Sequence, residues 1–75
     1  MSIEKEKWCI GDISINKYII ENKEGKFEIS TVPKNNGTET VTDAQKISHG
    51  IYMPLDLDTG LNILMNAVME EEEIE

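Results

Sequence analysis

Two alternating runs flank a turn between Lys17 and Thr31, where the chain reads K-Y-I-I-E-N-K-E-G-K-F-E-I-S-T. With Asn22 to Gly25 as a four-residue turn, Glu21 pairs with Lys26, Ile20 with Phe27, Ile19 with Glu28 and Tyr18 with Ile29. That register gathers Tyr18, Ile20, Phe27 and Ile29 on one face and sets a complementary charge pair beside the turn. Gly25 supplies the positive φ that a short hairpin loop needs at one position. The pattern predicts a central β-hairpin over 17–31.

Around this hairpin the signals are shorter. Residues 1–7 are polar and are expected to be frayed. Trp8 to Ile15 reads as a strand with a bend or bulge at Gly11. Ile13 and Ile15 have odd numbers whereas Tyr18 and Ile20 have even ones, so a switch of phase is expected near Asn16 and Lys17. Val32-Pro33 closes the hairpin's second strand, because proline has no donor for a ladder. Lys34 to Gly37 reads as a loop tip, and Thr38 to Thr42 as a solvent-facing edge strand or a loop, so 32–46 stays open between the two. Asp43 to Lys46 suits a single capped helical turn and Ser48-His49-Gly50 a turn. Ile51 to Met53 forms a short strand that Pro54 stops.

A helix is predicted over about 57–70. Asp56 is its N-cap, Asp58 lies in the first turn where the dipole favours an anion, and Leu57, Leu61, Leu64 and Val68 repeat at helical spacing. Met65 widens this stripe, which is expected to lie on the inner face of the sheet with Tyr52 or the hairpin as its neighbour. Gly60 in the first turn costs about 1 kcal/mol relative to alanine, which points to close packing there. Glu70 to Glu73 face the negative end of the dipole and one another, so the tail 70–75 is expected to fray. The fold class is α+β: one domain over 1–75, with a three- or four-stranded, mostly antiparallel sheet packed on one C-terminal helix.

Charge narrows the function. The chain has 15 acidic and 7 basic residues, a formal net charge of −8. That balance disfavours direct binding to nucleic acid or to an anionic membrane and suits a basic protein partner. The single cysteine, Cys9, excludes an internal disulfide, fits a reducing compartment and is expected to fill a core position. With no secretory signal in 1–7 and no long apolar run, the expected location is cytoplasmic. A chain of 75 residues has little room for an enclosed active site, so binding gains weight, with a second copy or a partner completing any site.

Candidate chemistry is sparse. Asp56-Leu57-Asp58-Thr59-Gly60 opens like a calcium loop, but the positions that need glycine and glutamate hold Leu61 and Ala67, and capping accounts for both aspartates. His49 and Cys9 alone cannot build a zinc site, and no glycine-rich phosphate loop is present. No catalytic residue, metal ligand or cofactor is therefore expected. What remains is surface. Glu21, Glu24, Glu28, Glu39, Glu70, Glu71, Glu72 and Glu73 are the candidate partner-binding residues. Met53, Met65 and Met69 offer an adaptable apolar face, and Ile13 to Ile15 or Thr38 to Thr42 are candidate edges for strand addition. An alternative is a nucleotide-binding protein whose Lys17, Lys23, Lys26, Lys34 and Lys46 contact phosphates at a dimer interface; another is a structural subunit of a larger phage assembly.

The strands-then-helix order, the Tyr52, Leu55, Leu57 lead-in to the helix and the asparagine, isoleucine and lysine usage resemble small proteins encoded by phages and prophages, over Lys17 to Met69. The resemblance implies a non-enzymatic inhibitor or modulator in the host cytoplasm that binds and blocks a host protein. Such a target includes defence and nucleic-acid-binding proteins, and homodimerisation is compatible with it.

Overall fold

Tight turns send the chain back on itself four times. In a computed structural model that describes residues 2–73, with side chains through residue 70, the strands are β1 (Ser2–Ile10), β2 (Ile13–Asn22), β3 (Gly25–Pro33), β4 (Glu39–Ser48) and β5 (Ile51–Pro54), followed by the helix α1 (Leu57–Glu73). All five strands pair antiparallel in sequence order as one meander. The central hairpin has the expected register, with Glu21 opposite Lys26, Ile20 opposite Phe27 and Tyr18 opposite Ile29. Asn22 Oδ1 accepts the Glu24 amide at 2.8 Å and stiffens the turn.

The sheet has five strands where three or four were expected. Residues 2–7 are not frayed but belong to β1, which pairs along the whole of β2 from Ser2 opposite Glu21 to Ile10 opposite Ile13. Their backbone is held by the ladder, although Glu4, Lys5, Glu6 and Lys7 are exposed. Gly11, at φ +61°, and Asp12 form the turn between two strands and not a bend inside one. No phase switch occurs at Asn16, because β2 runs unbroken from Ile13 to Asn22. Its even positions face the helix, and Ile13, Ile15 and Ile19 face the other side.

Residues 43–46 are strand, not a helical turn, so 39–48 is a single strand. The register shifts between Ser30, opposite Asp43, and Thr31, opposite Val41, leaving Thr42 as an extra residue whose hydroxyl donates to the Ser30 carbonyl at 3.3 Å. This bulge lets Val41 and Ala44, three residues apart, share the helix-facing side. His49 (φ 52°) and Gly50 (φ 77°) form the two-residue turn into β5.

The core lies between α1 and one sheet face: Tyr18, Ile20, Phe27, Ile29, Thr31, Val41 and Ala44 from the strands, with Leu64 and Ala67 from the helix. Full burial of Ile20 and Ile29 contributes roughly 1.5–3 kcal/mol each. The Leu55 amide bonds the Ala44 carbonyl at 2.9 Å and carries the chain past β5 into the helix. Asp56 caps it as expected, accepting the Thr59 amide at 3.1 Å and the Thr59 hydroxyl at 2.7 Å.

The helix seats mainly on β4 and reaches β2 and β3. Its buried row is Gly60, Leu64 and Ala67, with Ile63 partly covered. The stripe expected inside is therefore mostly outside: Leu57, Leu61, Met65 and Val68 are exposed. Gly60 explains the difference. It packs on Ala44 and Val41 of β4, not beside Tyr52, and small residues in this row let the helix backbone approach the sheet where leucines would hold it away. The helix continues to Glu73, so Glu70 to Glu73 extend it; Ile74 and Glu75 lie outside the described residues.

Both lateral sheet edges are open among the described residues. β1 presents an outer edge with glutamates at 4 and 6 on one face and lysines at 5 and 7 on the other. β5 is short and ends at Pro54.

Candidate functional site

The most ordered polar constellation sits on the helix-facing side of the sheet. Alternation along β2 and β3 places Asn16 opposite Thr31, beside Tyr18, and the 34–38 loop returns the chain so that β4 starts with Glu39 next to them. That loop is closed by the Lys34 amide on the Thr38 carbonyl at 2.8 Å, and Asn36 Oδ1 accepts the Thr38 hydroxyl at 2.6 Å. Glu39 Oε1 accepts Asn16 Nδ2 at 2.7 Å and the Thr31 hydroxyl at 2.7 Å. The Tyr18 hydroxyl donates across both oxygens at 3.1 and 3.0 Å.

Electrostatics fixes the protonation of this group. Burial pushes the Tyr18 hydroxyl up to about 12, helped by its bond to Glu39 and by the negative charge of that carboxylate. Burial also pushes Glu39 upward, but the hydrogen bonds from Thr31, Asn16 and Tyr18, together with the charge of Lys5, outweigh it and hold the carboxyl below its ordinary range. The Lys5 ammonium lies 5.6 Å from the Tyr18 ring centre. Near neutral pH the pair is thus a carboxylate accepting from a neutral phenol, the arrangement of a structural joint more than of an acid-base couple. Glu39 ties the start of β4 to β2 and β3 through bonds to buried donors, while its own side chain stays within reach of solvent.

Glu28 is also engaged within the fold. On the sheet face away from α1 it lies 3.5 Å from Lys17 Nζ and accepts Gln45 Nε2 at 2.9 Å. Glu21, Glu24 and Glu70 are different. The β2–β3 turn and the C-terminal half of α1 bring these three glutamates and Lys23 into the lining of one open groove, with Ile63 and Met69 among its apolar part, while alternation along β2 sets the Glu21 side chain beside Lys26 on the face away from α1. Glu71 to Glu73 continue the same helix. Of the eight acids singled out from the sequence, three are gathered here, two are bonded elsewhere, and the side chains of the other three lie outside the described residues.

The five lysines of the nucleotide alternative do not converge. Lys17 lies on the face away from α1, 5.0 Å from the Trp8 ring centre, whereas Lys46 stands 5.9 Å from the Phe27 ring centre on the helix side. Lys26 alternates to the face opposite Phe27, Lys34 sits in the 34–38 loop, and only Lys23 reaches the groove. Cys9 is exposed, with its Sγ 3.9 Å from Ser14 Oγ, and does not fill the core. Edge position explains this, since α1 does not extend over that end of β1. Among the described residues no three His, Cys, Asp or Glu side chains form a metal-binding group, and no helix is long and apolar enough to cross a membrane.

Besides Ile51, Tyr52 and Met53 of the short edge strand β5, two apolar surfaces are uncovered among the described residues. One is the exposed flank of α1; the other is Trp8, Ile10 and Ile13 at the β1–β2 end of the open sheet face. Ile13 to Ile15 form no edge, being paired with Trp8 to Ile10. The first part of β4 is one, because β5 pairs only with Gln45 to Ser48. The Glu39 joint was not anticipated from the sequence, yet a signal was present: Asn16 and Thr31 continue the inward parity of Tyr18 and Ile29, so a buried polar pair needing a partner was implied. Compared with protein-family models, curated proteins and solved structures, the chain matches none.

Proposed function

We propose that the protein is a non-enzymatic acidic binding module that inhibits or modulates a protein with a basic surface. The observation that carries this reading is the placement of Glu21, Glu24 and Glu70, with Lys23 among them, along one open groove of a molecule whose helix also has an uncovered apolar flank. Carboxylates so placed attract lysine and arginine side chains, and the apolar neighbours supply contact area once those charges have steered the encounter. The formal net charge of −8 reinforces the steering. The resemblance to phage and prophage proteins supports a host protein as the target, with the defence and nucleic-acid-binding classes foremost.

The test is capture from bacterial lysate with the tagged protein at low and at physiological salt, bound material being analysed for proteins and small molecules. The expected result is a stoichiometric partner that is weakened by salt and lost when Glu21, Glu24 and Glu70 are changed to glutamine, since exposed charge pairs are screened over about 8–10 Å in that range. A preparation carrying only a nucleotide overturns the reading.

A further inference from the structure

We infer that the uncovered flank of α1 is a docking strip for a basic amphipathic helix of the partner. This rests on the binding function proposed above and adds where the partner lies and what its contacting segment looks like.

Leu57, Leu61, Met65 and Val68 recur at steps of four, four and three, which places them along one flank beside the buried row of Gly60, Leu64 and Ala67. They are 48%, 40%, 51% and 38% exposed. The strip covers about 16 Å, or three helical turns, at 1.5 Å per residue. With Met69 it presents on the order of 400 Å² of apolar surface, within the range of functional patches on monomers and short of the roughly 800 Å² that one side of a standard interface buries. Met69 also lines the groove of Glu21, Glu24 and Glu70, but Ile63, Asn66 and Glu70 of that groove lie across the buried row from Leu61 and Met65, so the strip alone is the surface offered to a single partner helix.

Charge decides the occupant. Every ionisable side chain from Asp56 to the chain end is acidic, and residues 56–75 hold no lysine, arginine or histidine. A second copy would bring the same acids, Asp56 and Asp58 at one end of the strip and Glu70 to Glu73 at the other, against its own kind, with eight net negative charges on each chain. A partner helix with lysines or arginines bordering its apolar ridge meets opposite charge at both ends instead. The helical period of the strip matches the ridge of another helix, and two methionines let it adapt to side chains of different shape.

The test titrates the isotope-labelled full chain with a model helix of about five turns built from leucine and lysine, and with its leucine and glutamate counterpart. The lysine peptide is expected to bind saturably and to shift the amide signals of residues 57–69, and the glutamate peptide to leave them in place. Leu61→Ser with Met65→Ser, both exposed and so compatible with an unchanged melting temperature, is expected to weaken binding at least tenfold. Ile10→Ser with Ile13→Ser, on the other sheet face, is expected to leave it unchanged. Equal binding by the Leu61/Met65 variant, no binding by the wild type, or signals at 57–69 that move with protein concentration alone each overturn the inference. Binding that survives the Leu61/Met65 variant but is lost with Glu21→Gln, Glu24→Gln and Glu70→Gln leaves the acidic binding module standing and removes only the strip.

Discussion

Gly60 of α1 rests on Ala44 of β4 so closely that a methyl group at residue 60 would enter the space of the Ala44 Cβ. Alanine in place of glycine normally favours a helix by about 1 kcal/mol. Here the neighbour is a Cβ fixed to the backbone of β4 and cannot swing aside, and overpacking of this kind costs about 1–3 kcal/mol. Gly60→Ala is therefore expected to lower stability by about 1 kcal/mol net, a fall in melting temperature of roughly 4–8 °C for a domain of this size. Adding Ala44→Gly should recover part of it. Thermal unfolding of the three variants checks this; a rise in melting temperature with Gly60→Ala alone would contradict the seating of the helix.

Glu39 predicts an acid limb of stability. Its folded carboxyl is held below the unfolded value, so the unfolded chain binds the proton more readily. The stabilisation is complete above the ordinary carboxyl range near pH 4.5 and is lost as pH falls through the depressed value of the folded state. Glu39→Gln leaves three buried donors with a poorer acceptor. Solvent reaches this side chain, so the expected loss is about 1–2 kcal/mol and not the sum of three bonds. Urea unfolding of both proteins from pH 7 downward should show their difference shrinking as the wild type becomes protonated.

Tyr18 predicts the opposite limb. Its hydroxyl stays protonated up to about 12 in the folded state against 10.0 for the unperturbed group. The associated stability is present below pH 10, and roughly 2–3 kcal/mol is lost as pH rises toward 12. In Tyr18→Phe this alkaline loss should vanish, while stability near neutral pH falls by about 1 kcal/mol through the missing bond to Glu39. Circular dichroism across that range separates the two effects.

Sequence reasoning reached the central hairpin residue by residue because both strands alternate cleanly, the charge pair agrees with the register and Gly25 marks the turn. It missed β1 because an edge strand need bury nothing, and the glutamates and lysines at 4–7 carry no apolar alternation. The expected phase switch at Asn16 assumed that all isoleucines of β2 share one face. The uncovered side of the sheet tolerates Ile13, Ile15 and Ile19, so the strand never had to turn. The helix was placed correctly but rotated, since large residues were assumed to face inward whereas contact with Ala44 selects glycine and alanine. The groove was legible as three separate glutamates and not as a place, because residue 70 comes beside the hairpin end that holds 21 and 24 only through the packing of α1 on the sheet.

His49 occupies left-handed backbone space at φ 52°, followed by Gly50 at φ 77°. Asparagine adopts that conformation more readily, and Asn-Gly is the favoured pair for a two-residue hairpin turn. His49→Asn is expected to raise stability by about 0.5 kcal/mol, within the range for relieving an unfavourable turn residue. Its side chain is exposed, so denaturant midpoints should rise without a change in slope. An unchanged or lower midpoint would show that the turn is not under conformational cost.

The alternation of glutamate and lysine along β1 has a consequence for how the molecules behave in a crowd. Two copies of that strand laid antiparallel about residue 5 or about residue 6, with both helices on the same side of the joined sheet, would set lysine opposite lysine on one face and glutamate opposite glutamate on the other. The outermost strand of the meander is thus poor at recognising itself, although its amides and carbonyls are free to pair. A sheet that ends in unpaired backbone is discouraged from joining a second copy edge to edge about a two-fold axis.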